Sequence, residues 1–360
     1  MKPPTPASPK APPPAGRHPQ GVVVRRLAPL LLPLASFVAL ALPLALPASC
    51  GGSTSSLAAG DGAADGGPSE AGAGGGVSAQ KAARDAASAY CARAEACAAL
   101  YVTLAFGDVA TCEARLLSPL LASLTAPGTS ATAAQLETCA AALPRVTCED
   151  LLGRATIPAC QTLPGKLAAG APCGTDAQCA TTHCTVAPDA LSCGTCAAQG
   201  VAGSGCGVDA DCQPGMTCVG GMCASYGAAG AACSATQPCR ASLGCVGGTC
   251  GAPRAPGGPC TTSAECDPLH GDFCNPQTLA CQIIAVAQAG GACGLVSGQL
   301  TVCVGPSALC KGDNVPPYRG TCLAYAPDGA SCDKDAGPLC GYGAVCAGGR
   351  CQVPDPSSCK

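Results

Sequence analysis

The chain has no tryptophan, three phenylalanines, six tyrosines, three isoleucines and two asparagines. Large aromatic and β-branched side chains usually fill a globular interior, and they dominate its burial energy. Their scarcity, most marked after residue 170, excludes a sizeable apolar core in the second half of the chain. Basic charge is also thin. Residues 1–50 carry Lys2, Lys10, Arg17, Arg25 and Arg26 and no acid. Taking these five from the 19 basic residues leaves 14 against 22 acids, so residues 51–360 carry a charge of -8. Such a surface offers no footprint for nucleic acid and none for an anionic membrane surface.

The chain is rich instead in cysteine (33), glycine (48) and proline (34) over 360 residues. In an exported chain, cysteine at this density implies a disulfide framework that replaces the missing core. The expected fold class is small disulfide-rich: a short all-α disulfide-linked domain followed by about six small Cys-rich hairpin modules.

Residues 27–46 read "LAPLLLPLASFVALALPLAL", preceded by basic residues and followed by "PASC". The length just suffices to span a membrane. Three prolines and the small residues that follow favour an export signal over residues 1–49. The long Pro-rich leader leaves a later start near Val22 to Val24 open. The stretch "LPASCGG" resembles the lipobox of bacterial lipoproteins, although Pro47 stands where that motif carries its leucine, with Leu46 one place earlier. The resemblance implies a lipid on Cys50, which would become the mature N-terminus and attach the protein to a membrane. Gly51 in place of an aspartate implies an outer membrane. Parity agrees, because 33 cysteines without Cys50 leave 32, an even number. The remainder of 50–78, rich in Gly, Ala and Ser, is a flexible tether.

Residues 79–165 read as a helical six-Cys domain. Tyr90, Ala94, Cys97 and Tyr101 fall on one helical stripe. Asp108 is a good N-cap before Val109, Cys112 and Leu116, and Pro119 is expected to end or kink that helix. "PGT" at 127–129 is a turn. Thr132 with Gln135 fits a capping box ahead of Leu136, Cys139 and Leu143, and Thr147 with Asp150 opens a short fourth helix. The cysteines at 91, 97, 112, 139, 148 and 160 lie on or near apolar stripes, with fifteen connectivities open.

Residues 166–360 form an array of about six modules, each opened by Gly-x-x-Cys ending at Cys173, Cys206, Cys233, Cys260, Cys293 and Cys332. The second and third share the spacing C-x5-C-x5-C-x4-C, and the first and sixth carry a fifth cysteine. Openings drift from 27 to 39 residues apart, which favours small modules strung in series over a solenoid with a common core. "CVGGMC", "CVGGTC" and "CAGGRC" fit hairpins whose Gly-Gly pair supplies two positive φ angles. Cysteines flanking such a turn face each other, and a bond between them would close a very tight ring. The expected bonds are therefore Cys206–Cys218 with Cys212–Cys223, and by the same spacing Cys233–Cys245 with Cys239–Cys250. "CGVDADCQPGMTCVGGMC" resembles the N-terminal cysteine-rich region of Dickkopf-type proteins, where an acid precedes the second Cys and a short Gly hairpin follows. "CTTSAEC" and "CGTDAQC" share part of that pattern. The resemblance implies an extracellular binding module.

Chemistry-bearing motifs are sparse. One C-x2-C occurs, Cys193 to Cys196, without the βαβ setting of a redox pair. Asp209 with Asp211, and Asp333 with Asp335, lack the further ligands of a calcium loop and suit capping of backbone amides. His183 and His270 lie between cysteines and read as solvated surface residues. The expectation is a protein with no catalytic residues, no cofactor and no metal, and no nucleic-acid partner. It would be a lipid-anchored envelope protein displaying a structural or binding surface to an extracellular protein or glycan. The alternative is a secreted protease inhibitor or ligand antagonist built on knottin-like loops.

Overall fold

A computed structural model describes residues 77–186, 193–305, 310–312, 319–333, 336–353, 355 and 359. The signal segment, Cys50 and the tether before Val77 lie outside the described residues, as does Asp335. A helical domain comes first and small strand-rich, Cys-rich modules follow.

Helix α1 (Ala79–Phe106) starts at Ser78, whose side chain accepts from the Lys81 amide. It is broken at Ala98, where φ is -158° and ψ is 73°. Gly107, with φ of 92°, then turns the chain, and Asp108 caps α2 (Val109–Thr125) by accepting from the Thr111 amide. Of the two outcomes expected at Pro119, an end or a kink, the end does not occur; α2 continues to Thr125. A proline sacrifices one amide bond, and here Pro119 and Leu120 are buried in the domain, so packing outweighs that loss. Thr132 caps α3 (Ala133–Ala142), but Gln135 turns away to donate to the Gln161 carbonyl, so the reciprocal half of the capping box is missing. Thr147 caps the short α4 (Cys148–Leu152). Tyr90, Ala94, Tyr101, Cys112, Leu116, Leu120 and Leu143 form a continuous interior. Disulfides Cys91–Cys112, Cys97–Cys148 and Cys139–Cys160 tie α1 to α2, α1 to α4, and α3 to the segment beyond it.

The modules lack such an interior. Their buried clusters consist mainly of cysteine, as with Cys173, Cys179, Cys184 and Cys196 in module one, or Cys260, Cys266, Cys274 and Cys281 in module four. Every module joins its first to its third cysteine. The bonds are Cys173–Cys184, Cys206–Cys218, Cys233–Cys245, Cys260–Cys274, Cys293–Cys310 and Cys332–Cys346. The second cysteine reaches the cysteine on the returning strand: Cys179–Cys196, Cys212–Cys223, Cys239–Cys250, Cys266–Cys281, Cys303–Cys322 and Cys340–Cys351. Cys218 and Cys223 face each other across the hairpin Met216–Val219 and Met222–Ser225, each bonded elsewhere. Gly220 and Gly221, at φ 59° and 81°, make its turn.

The glycine of each opening has a physical reason. Gly170, Gly203, Gly230, Gly257, Gly290 and Gly329 all have φ between 78° and 85°. Each is the third residue of a turn closed by a backbone bond, such as the Ser204 amide to the Val201 carbonyl, and each donates its amide to the last core cysteine's carbonyl. The chain before the opening already belongs to the module: Gly200 pairs with Cys212, Gly227 with Cys239 and Arg254 with Cys266. Modules therefore begin three residues before the glycine of the Gly-x-x-Cys signature. Module five departs furthest, with a five-stranded sheet spanning Ala285–Ala287 to Arg319–Cys322.

The modules are not simply strung in series. All six touch the helical domain. Gln178 of module one donates to the Pro127 carbonyl. Arg154, just beyond α4, donates to the Asp209 and Met216 carbonyls of module two and accepts from the Gly215 amide. Ala241 of module three lies in the helical core, and Arg240 pairs with Glu149 at 3.1 Å. Gly271 of module four abuts Leu100, and Val304 of module five comes near Gly107, 3.9 Å from where a Cβ there would stand. Module six brings Asp328 onto the Arg115 guanidinium and packs Tyr342 against Phe106, ring centroids 4.5 Å apart and planes tilted by 53°. The extra cysteines of modules one and six then bond to each other, Cys193–Cys359, across 166 residues. The array is a closed circuit around a helical hub.

Candidate functional site at the seam of modules one and two

The loop between the first two cysteines is built alike in modules one, two and four. A single helical turn spans Asp176–Gln178, Asp209–Asp211 or Ser263–Glu265. The residue before the second cysteine folds back to accept amides. Gln178 takes those of Gly174 and Thr175, Asp211 those of Gly207 and Val208, and Glu265 those of Thr261 and Thr262. The residue two places earlier accepts the amide of the third cysteine, with Asp176 on Cys184, Asp209 on Cys218 and Ser263 on Cys274. These bonds satisfy amides that a core-less loop cannot pair in a ladder.

His183 is a correction to the sequence reading. It is 2% exposed, not a solvated surface residue. Its Nδ1 lies 3.5 Å from Asp176 Oδ1 of its own module, and its Nε2 lies 3.4 Å from Asp211 Oδ1 of module two. Neither ring nitrogen makes a hydrogen bond, and the buried Asp176 Oδ2 is also unpartnered. Burial alone would lower the imidazole pKa, but the two carboxylates outweigh it and raise it to about 9. Burial pushes the Asp176 carboxyl up to about 6 against the pull of His183 and the Cys184 amide. Asp211 feels burial too, yet His183 and the loop amides hold it below the usual range. The cluster spans the seam between two modules whose sequences carry its parts 28 residues apart at the closest, so no local motif announces it.

Asp211 also lines an open cleft of about 540 Å³ along that seam, with Thr185, Val186, Gln199, Val201 and Ser204. Around it module two exposes Val201, Val208 and Met222 at 55%, 46% and 49%.

The remaining candidate residues are dispersed. Cys193 and Cys196 enter different disulfides, with Cys359 and Cys179. Triplets of sulfur atoms within metal-binding distance, such as Cys206, Cys212 and Cys223, arise because each module packs two disulfides side by side. An oxidised sulfur offers no thiolate to a metal. His270 is exposed and bonds Asp267 at 2.7 Å, which raises its pKa. Asp333 accepts the Ala336 amide. No family model, no curated protein and no solved structure matches this chain.

Proposed function

We propose that this protein is a non-catalytic envelope protein, lipid-anchored through Cys50, whose disulfide-locked modules present a binding surface to an extracellular protein or glycan. The carrying observation is the cysteine pairing. All 32 cysteines from Cys91 to Cys359 are bonded, in sixteen disulfides. Disulfides on this scale persist in an oxidising, exported setting. Cys50 is left as the odd cysteine, free to take the lipid that the lipobox-like "LPASC" implies. Exposed apolar side chains in modules two and four, including Val201, Met222, Leu279 and Ile283, supply contact area on frames that lose little entropy on binding. Labelled palmitate fed to cells making the full chain tests the anchor. Incorporation that disappears in Cys50→Ala is expected, and equal incorporation in both, or none in the parent, contradicts it.

A further inference from the structure

The buried imidazole at the module seam remains unaccounted for. Buried polar groups are almost always hydrogen-bonded, and an exception points to a strained site, a water or an ion. His183 is such an exception twice over, since both ring nitrogens are buried without a hydrogen-bond partner. A direct charge-assisted bond would sit at about 2.7–2.9 Å, shorter than the 3.4 Å between His183 Nε2 and Asp211 Oδ1. Two donors each about 2.0–2.2 Å from a tetrahedral ion lie roughly that far apart.

We infer that His183 Nε2 and Asp211 Oδ1 form a binding site for a divalent transition metal of the zinc class. Asp176 is placed to be the outer partner. Its Oδ1 faces the opposite ring nitrogen, Nδ1, and it is fixed by the Cys184 amide. A carboxylate facing Nδ1 favours the tautomer that leaves Nε2 to ligate, and the ion would displace the second proton that the two carboxylates otherwise hold on the ring. Asp211 is fixed as well, through Oδ2 on the Gly207 and Val208 amides, which leaves Oδ1 for the ion. Asp211 is on the cleft wall, whereas the His183 nitrogens are buried behind it, so an ion would enter past Asp211, the side from which its remaining positions would take water. The site goes beyond the display function, because the same ion would cross-link modules one and two where no disulfide does.

The test is calorimetric titration of Zn²⁺ into the full chain with Cys50→Ala, which removes the one thiol able to compete. One ion per chain is expected. His183→Gln and Asp211→Asn are expected to weaken binding at least tenfold; asparagine retains an oxygen for the two loop amides, so that variant keeps its fold. His270→Gln, which disables the exposed His270–Asp267 pair, is expected to bind as the parent does. Thermal melting of each variant without zinc checks folding independently. No binding at 100-fold excess over the chain overturns the inference. So does binding that survives both seam substitutions, or that disappears with His270→Gln.

Discussion

The helical hub and the module array solve one problem in opposite ways. In the hub, Tyr90, Leu116, Leu120 and Leu143 make the interior, and disulfides fasten helices that already pack. In the modules the disulfides are themselves the interior, and the loops are held by amide-accepting side chains such as Asp209 and Glu265. Six modules lean on one hub, so the apolar residues of a small domain serve the whole chain. The difference teaches that stability here is divided by mechanism: apolar burial inside, cross-linking outside.

The division predicts a separable response to damage. Removing Cys212 and Cys223 together, as alanines, should cost about 2–5 kcal/mol. The loss should be confined to module two, where amide exchange over 200–225 rises while α1 stays protected. Leu120→Ala, at 1% exposure, should cost a similar about 2–5 kcal/mol, but lower the melting of all four helices. If either substitution loosens both regions equally, the division fails.

The contacts between the regions come next. Arg154 holds two carbonyls of module two and is largely desolvated. Arg154→Ala should cost about 1.5–3 kcal/mol by the usual worth of charged hydrogen bonds. Its mark is faster proteolysis at the module two boundary, with unchanged helicity by circular dichroism.

The hub also carries the alkaline limit. Burial raises the phenols of the hub's Tyr90, to about 12, and Tyr101, and of Tyr342, which module six packs against the hub. A raised folded pKa gives stability that is complete below the unfolded value of about 10 and is lost as pH climbs through the folded value. Unfolding followed by tyrosinate absorbance should therefore set in between about pH 10 and 12, with the helices melting before the modules come apart. Modules failing first would reverse the comparison.

Two glycines give the finest contrast. Gly271 and Gly220 both have positive φ, 75° and 59°. A Cβ on Gly271 would meet Leu100 Cδ2 at 1.9 Å, whereas one on Gly220 meets nothing within 4 Å. Gly271→Ala should cost about 1–3 kcal/mol through overpacking added to backbone strain. Gly220→Ala should cost about 1 kcal/mol from conformation alone. Chemical denaturation distinguishes them.

Much of this architecture is legible in the sequence because its signals are local. Helix caps at Asp108, Thr132 and Thr147, the Gly-Gly turns and the recurring cysteines all act within a few residues. What the sequence hides is set by long-range packing. Pro119 reads as a helix stop or kink until the hub around Leu120 is seen to hold the helix through it. His183 reads as a surface residue because its second carboxylate, Asp211, belongs to the next module. Cys193 and Cys196 read as structural disulfide cysteines with partners unassigned, since nothing near them points to Cys359. The one available clue was that modules one and six alone carry a fifth cysteine.

That last bond states the central claim in a single covalent link: the array closes on itself around the hub. Non-reducing peptide mapping of the mature protein tests it directly. The account predicts a cross-linked peptide pair containing Cys193 and Cys359, separate from the pair containing Cys179 and Cys196. A Cys193–Cys196 bond, with Cys359 free or joined elsewhere, would contradict the closed circuit.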